Sequence, residues 1–269
     1  MNYELPSAPL SIGAVLDNAI RLYRYAIRRC WTLSLVYSAL SGGFGIYFAL
    51  FLPESVALGK SDPKQALALL TSPVTIGGFL VAVVLGTVFY GALLKAESVL
   101  ARGEEPLSLG AAIAAGLRRL PGTLLNFLLV TLALVVGLAA FFFPGAYLFG
   151  KLQLWPVAMF MDDASAMESL KTSWRLTRKR WWRGTAILTV VLILLYVLTI
   201  AFGLVSGAIA VLAHLSATNR LILNQVFSAL PNFILMPLFV AVFIVMYHDF
   251  KLRSEGGDLA ARMGALGKA

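Results

Sequence analysis

Charge is scarce in this chain. Asp, Glu, Lys and Arg together make up 13% of its 269 residues, against about a quarter in a soluble domain. Apolar residues make up 59%, and the mean hydropathy is +0.84. A soluble core in a protein of this length cannot hide that excess. A soluble globular fold is therefore excluded, and the apolar residues face lipid or one another within lipid.

Cysteine and histidine are scarcer still. Cys30 is the single cysteine, which excludes an intramolecular disulfide; it reads as a small residue at the start of a span. His214 and His248 are the only histidines, and no Cys/His spacing suggests zinc. No Gly-rich phosphate loop and no Ser/His/Asp arrangement in a recognisable context is present. No catalytic residue, cofactor or metal site is expected, and the chain reads as a protein that is not an enzyme.

What the sequence does have is long apolar runs. About 20 apolar residues cross the hydrocarbon as a helix, and six candidate spans are visible, at 31–52, 74–94, 122–143, 146–161, 184–213 and 227–247. They are too long and too continuously apolar for barrel strands. The first is loosened by Gly42, Gly43 and Gly45. Pro144 and Gly145 are expected to form a tight turn between the third and fourth spans. The fourth is short, carries Lys151, Gln153 and Pro156, and is read either as a span or as re-entrant. The first run is longer than a signal-peptide core and lacks a small-residue cleavage site, so it is expected to stay in the mature protein.

The cations are unevenly placed. The formal net charge is +9. Arg21, Arg24, Arg28 and Arg29 precede the first span; Lys95, Arg102, Arg118 and Arg119 lie between the second and third. Lys171, Arg175, Arg178, Lys179, Arg180 and Arg183 lie between the fourth and fifth. Lys251, Arg253, Arg262 and Lys268 follow the sixth. The opposite loops hold only Lys60, Lys64 and Arg220. Basic loops stay in the cytoplasm, so both termini are expected there, with basic surfaces meeting anionic headgroups rather than nucleic acid.

Three basic amphipathic segments, 11–28, 108–120 and 165–182, precede the first, third and fifth spans. They read as surface helices lying in the membrane plane. Ser165 and Glu168 have capping-box spacing. The segments align on Ser11, Ser108 and Ser165, then on Leu16, Ile113 and Leu170, and then on Ile20, Leu117 and Trp174. Arg21, Arg118 and Arg175 follow that last set. The expected fold is therefore an all-α integral membrane protein in one domain, residues 1–253, with a flexible cytoplasmic tail at 254–269. It combines six transmembrane helices with three cytoplasmic interfacial helices, as a threefold repeat of surface helix plus hairpin.

Two groups are candidate sites. Trp174, Arg175, Arg178, Lys179, Arg180, Trp181, Trp182 and Arg183 interleave aromatics with cations beside a span, the composition of a lipid-phosphate contact or of a topological anchor. Lys151, Gln153 and Asn232 are polar residues within apolar runs, where ionisable groups are costly and mark pathways. Lys151, a few residues from the outer end, suits snorkelling to the outer headgroups better than it suits a pathway. Asp162 and Asp163 read as a loop before Ser165, and Asp249 as a partner for Lys251, Arg253 or a basic surface helix.

Several stretches resemble the membrane domain associated with some glycerophosphoryl diester phosphodiesterases and related uncharacterised bacterial membrane proteins. They are Leu10-Ser11-Ile12-Gly13 with Leu16-Asp17 and Arg21-Leu22-Tyr23-Arg24; Glu168-Ser169-Leu170 with Ser173-Trp174-Arg175-Leu176-Thr177-Arg178 and Trp181-Trp182-Arg183; and Tyr247-His248-Asp249 with Arg253, Glu255-Gly256 and Asp258-Leu259. The resemblance implies a bacterial or archaeal cytoplasmic membrane. It implies no phosphodiesterase activity, because the family's separate catalytic barrel, with its acidic metal set and histidines, has no counterpart here. The expected role is engagement of anionic lipids or a protein partner, homo-oligomer included, through the basic helices. The alternatives are a transporter or lipid translocator with a polar path near Lys151, and a membrane subunit supporting a separate enzyme.

Overall fold

The computed structural model describes residues 3–51 and 62–266, and every regular element among them is a helix. The order is α1 (Ile12–Phe51), α2 (Pro63–Leu70), α3 (Pro73–Ala101), α4 (Leu109–Ala140), α5 (Phe142–Leu152), α6 (Trp155–Met161), α7 (Ala166–Thr177), α8 (Trp181–Leu212) and α9 (Ala217–Leu266). Within the described residues, four helical segments are long and apolar enough to cross a membrane: Pro73–Ala101, Leu109–Ala140, Trp181–Leu212 and Thr218–Ser254. The other two expected spans are not among them. Leu52, the end of the first, lies outside the described residues, and the stretch 146–161 is divided between α5 and α6.

Helix starts follow local chemistry. Ser11, Ser72, Ser108 and Ser165 each accept a backbone N–H three residues on, from Ala14, Thr75, Ala111 and Glu168. This satisfies donors that the first turn leaves open. Ser165 and Glu168 form the full capping box. Asp62 caps α2 through Lys64 N–H at 3.0 Å.

Two expected surface helices are not separate elements. Residues 11–28 continue into the first apolar run as one helix, and 108–120 continue through Pro121 into α4. Arg28 and Arg29 change the polarity of the chain without offering a cap or a breaker, so nothing ends the helix there. The glycines of α1 do not loosen it either. A methyl on Gly42 would sit 3.0 Å from the Ala229 side chain of α9, so this glycine is where two long helices approach closely.

The α4–α5 turn is at Phe141, in extended backbone, and Pro144 and Gly145 lie inside α5. Pro144 is tolerated there because first-turn N–H groups have no helical partner. Residues 254–266, expected as tail, continue α9 as helix.

The buried core gathers residues 15–33 of α1, 92–101 of α3, 154–161 in and before α6, 187–191 of α8 and 240–250 of α9. Along α9, every residue from Val240 to Tyr247 is buried, as befits a helix surrounded by others. Away from this core the chain exposes large apolar side chains, such as Leu128, Phe143, Leu204 and Leu212, the surface a bilayer would cover.

Candidate functional site

The break between α5 and α6 organises the basic region. Pro156, in the first turn of α6, cannot supply an N–H to a continuous helix, and the chain turns at Gln153–Leu154. The freed backbone groups are met by α7. Ser173 Oγ donates to Lys151 O at 2.8 Å and accepts Leu154 N–H at 3.1 Å, and Thr177 Oγ1 donates to Lys151 O at 3.0 Å. Hydroxyls from a neighbouring helix are how broken helices are satisfied in apolar surroundings.

This turns α7 away from the orientation its amphipathic pattern suggests. The buried face is Ser169, Ser173, Leu176 and Thr177. Met167 and Trp174 are exposed, at 55% and 41%. Asn126 of α4 adds to the same junction, donating to Ala166 O and Ser169 Oγ.

The eight candidate headgroup residues divide into two sets. Trp174, Arg175, Arg178, Lys179 and Trp182 are exposed. Arg180 and Arg183 turn inward, and Trp181 is half-buried. Arg180 donates to Arg253 O at 2.9 Å. Arg183 donates to Asp249 at 3.2 Å and to Leu10 O. Trp181 stacks on Trp182 at 4.1 Å and meets Tyr147 edge-on.

Lys151 does not reach outward along a span. It is 1% exposed; its Nζ donates to Thr177 O at 3.4 Å and lies 5.2 Å from the Tyr147 ring and 5.5 Å from the Trp174 ring. Thr177 ends α7, so the ammonium meets the negative end of that helix dipole as well as two π faces. Gln153 is buried nearby, with Nε2 on Gly150 O at 2.9 Å. Asn232 lies elsewhere, donating to Ser41 Oγ of α1 at 3.3 Å. Lys151 and Gln153 thus share one interface, and Asn232 belongs to another.

Three acidic residues act as fasteners. Asp249 is 1% exposed and accepts Leu10 N–H at 2.8 Å, Arg183 Nε at 3.2 Å and Arg253 Nε at 3.1 Å. His248 Nε2 lies 2.8 Å from Pro6 O. Together these contacts tie the N-terminal segment to α8 and α9. Asp162 accepts Tyr247 Oη at 2.7 Å and Lys251 Nζ at 2.9 Å. Asp163 accepts Lys95 Nζ at 3.0 Å and Arg119 Nη2 at 3.2 Å. Partial burial works to raise the Asp163 carboxyl, but the hydrogen bonds and charges of Lys95 and Arg119 outweigh it and hold the group below its ordinary value.

Sequence reasoning missed Glu97. It lies in α3, fully buried, and neither carboxylate oxygen has a hydrogen-bond partner among the described residues. The signal was available: an acid embedded in an apolar run. Ending the second span at Leu94 placed it outside. Within the described residues no group of three or more His, Cys, Asp or Glu is arranged to hold a metal.

No curated protein and no solved structure matches the chain. One family model does, over residues 64–250, which takes in α3 to α8 and most of α9 together with the α6–α7 junction. The chain belongs to the family described as a domain of unknown function, DUF7847.

Proposed function

We propose that this is a non-enzymatic multi-pass protein of a bacterial cytoplasmic membrane that engages anionic lipid headgroups through its basic helices. In this reading the chain crosses six times with both termini in the cytoplasm, and α1, α4 and α7 open three equivalent units. Kinship with the phosphodiesterase-associated membrane domains belongs to the same reading, without their catalysis.

One observation carries it. Ile20, Leu117 and Trp174 are exposed, at 40%, 53% and 41%, and each is followed by an exposed arginine: Arg21, Arg118 and Arg175. One residue before Leu16, Ile113 and Leu170, the positions Val15, Ala112 and Ser169 are each 0% exposed. Ala19, Gly116 and Ser173 are likewise buried. The small residues pack inward, while an apolar side chain and a cation point outward together at equivalent places. Such a pair suits the interface, with the apolar part among acyl chains and the guanidinium at phosphate level.

The test is lipid retention. Purified protein in micelles containing equal parts phosphatidylglycerol and phosphatidylcholine is expected to retain the anionic lipid preferentially, measured by mass spectrometry. A retained pool matching the bath would overturn the reading. A reporter fused after Ala269 is expected to read as cytoplasmic, and an external signal would overturn the topology.

A second reading, passage of a proton or cation, is favoured by Glu97. A carboxyl buried in a span-length apolar helix without a partner is the kind of group that marks an ion path. Proteoliposomes of the wild type would then leak cations faster than those of Glu97→Gln. Equal rates would sink it.

A further inference from the structure

A cavity lies between the N-terminal segment and the basic part of α1, and none of its lining residues belongs to α7. It is about 1120 Å³ and bounded by Tyr3 and Glu4 on one side and by residues 18–29 of α1 on the other. Arg21, Arg24, Arg28 and Arg29 line it, with Tyr3 and Asn18; Glu4 is the single acid. Among the described residues none of the four arginines forms an ion pair.

Two of the arginines are held in place. Asn18, 6% exposed, donates to Ala14 O at 2.7 Å and accepts Arg21 Nη2 at 2.8 Å. The Arg29 guanidinium lies 3.9 Å from the centre of the Tyr25 ring and donates to Tyr25 O at 3.3 Å. Arg24 and Arg28, one turn apart, are exposed. The opposite wall is fixed as well, through His248 on Pro6 and the hydrogen bonds of Asp249, Arg183 and Arg253 on Leu10.

Tyr3, in the cavity wall, carries a hydroxyl that the fold does not use. The residue is 7% exposed, and its buried hydroxyl has no hydrogen-bond partner among the described residues. A buried polar atom without a partner costs stability unless something meets it. Burial pushes this phenol up to about 12, with Arg21 pulling the other way, so at neutral pH it is a donor.

From this arrangement we infer that the groove between Tyr3 and α1 binds a phosphate group, carried by an anionic phospholipid whose headgroup enters from the membrane surface. Several guanidiniums around one oxyanion, with a neutral hydroxyl donor, match a phosphate in charge and in donor geometry. The lipid, rather than a free phosphate, follows from placement. α1 runs without interruption from Arg28 and Arg29 into Trp31, which is 52% exposed, and on into the apolar run. The groove therefore stands where headgroups would be. The inference rests on the proposed lipid engagement and assigns it a specific pocket apart from the α7–α8 collar of exposed cations, Arg175, Arg178 and Lys179.

The full chain is placed in nanodiscs of equal parts phosphatidylglycerol and phosphatidylcholine, and retained lipid is counted after extraction. The variants are Tyr3→Phe, Arg24→Gln with Arg28→Gln, and, for the collar, Arg175→Gln with Arg178→Gln. Loss of phosphatidylglycerol retention by about tenfold in the paired groove variant, and by several-fold in Tyr3→Phe at unchanged melting temperature, is the expected result. Tyr3→Phe keeps the ring and removes only a hydroxyl without a partner, so it reports ligand rather than folding if the arginine pair is unstable. Retention lost only in the collar variant would overturn the groove and leave the lipid reading standing. A wild type with no preference for phosphatidylglycerol would overturn both. Calorimetry with inorganic phosphate and with glycerol 3-phosphate separates the sources. Binding of these without any phosphatidylglycerol enrichment would overturn the lipid as the carrier.

Discussion

Leu10 and Asp249 are 239 residues apart in the chain, yet the Leu10 N–H donates to the Asp249 carboxylate at 2.8 Å. Arg183 and Arg253 each bridge the same two residues, contacting the carboxylate and the Leu10 carbonyl. One buried acid thus joins the N-terminal segment, α8 and α9.

Removing that acid leaves the Leu10 amide without its acceptor and the two guanidiniums with only the Leu10 carbonyl. Asp249→Ala is expected to destabilise the protein by about 3–5 kcal/mol, the cost of breaking a buried pair. Arg183→Gln is expected to follow in the same direction, while Arg175→Gln, at an exposed position, stays within about 0.5 kcal/mol. Thermal melting in detergent measures the contrast. Equal effects of Arg183→Gln and Arg175→Gln would contradict the inward placement of Arg183.

Asp163 combines an ion-pair role with a left-handed backbone, at φ 54°. Because its folded pKa is depressed, its contribution to stability is present above the ordinary carboxylate value of 3.8 and is lost as pH falls through the folded value. Its side chain is 61% exposed, so the contribution is at most about 1 kcal/mol. Asp163→Asn is expected to flatten the stability–pH curve below about pH 4. Asp163→Ala is expected to cost more than Asp163→Gly, since alanine keeps the backbone strain that glycine relieves. Melting curves across pH check both.

Lys151 is buried along its whole length, ammonium included. Lys151→Met keeps most of that volume and gives up one 3.4 Å hydrogen bond and the two ring contacts of the ammonium, so it is expected to change stability by less than about 1.5 kcal/mol. Lys151→Ala opens a void beside Tyr147 and Trp174 and is expected to cost about 2–5 kcal/mol. If Met proves as damaging as Ala, the ammonium itself holds the α5–α7 junction.

Glycines in similar helical contexts are expected to behave oppositely. A methyl on Gly116 would clash with the Val88 carbonyl oxygen of α3, whereas one on Gly77 meets nothing within 4 Å. Gly116→Ala is expected to destabilise by about 1–3 kcal/mol through overpacking. Gly77→Ala is expected to be neutral or to stabilise by up to about 1 kcal/mol through helix propensity. Chemical or thermal unfolding in detergent distinguishes them.

Much of the helical layout was legible because its causes are local. The apolar runs of α3, α4, α8 and α9 appear at their expected places, and Ser11, Ser108 and Ser165 all cap helices. The outward set Ile20, Leu117 and Trp174 was visible as an alignment. Its direction was not, because that depends on Val15, Ala112 and Ser169 packing against other helices. In α7 the buried face is the one bearing Ser169, Ser173 and Thr177, since a broken helix needed their hydroxyls more than it needed apolar cover.

Composition and hydropathy alone determined the class, the helical content and the uneven distribution of cations, because these depend on what each residue is and on its near neighbours. Only the tertiary structure decided which charges are spent inside the protein and which remain available. Arg183 and Arg180 looked like Arg175 and Arg178 in the sequence, but Asp249 and the Arg253 carbonyl capture the first pair. Tyr3 and Arg21 looked unrelated, but the clamp on Leu10 brings the N-terminal segment across α1 and makes them walls of one groove. Hydrogen bonds between distant residues carry that information, and no local pattern encodes it.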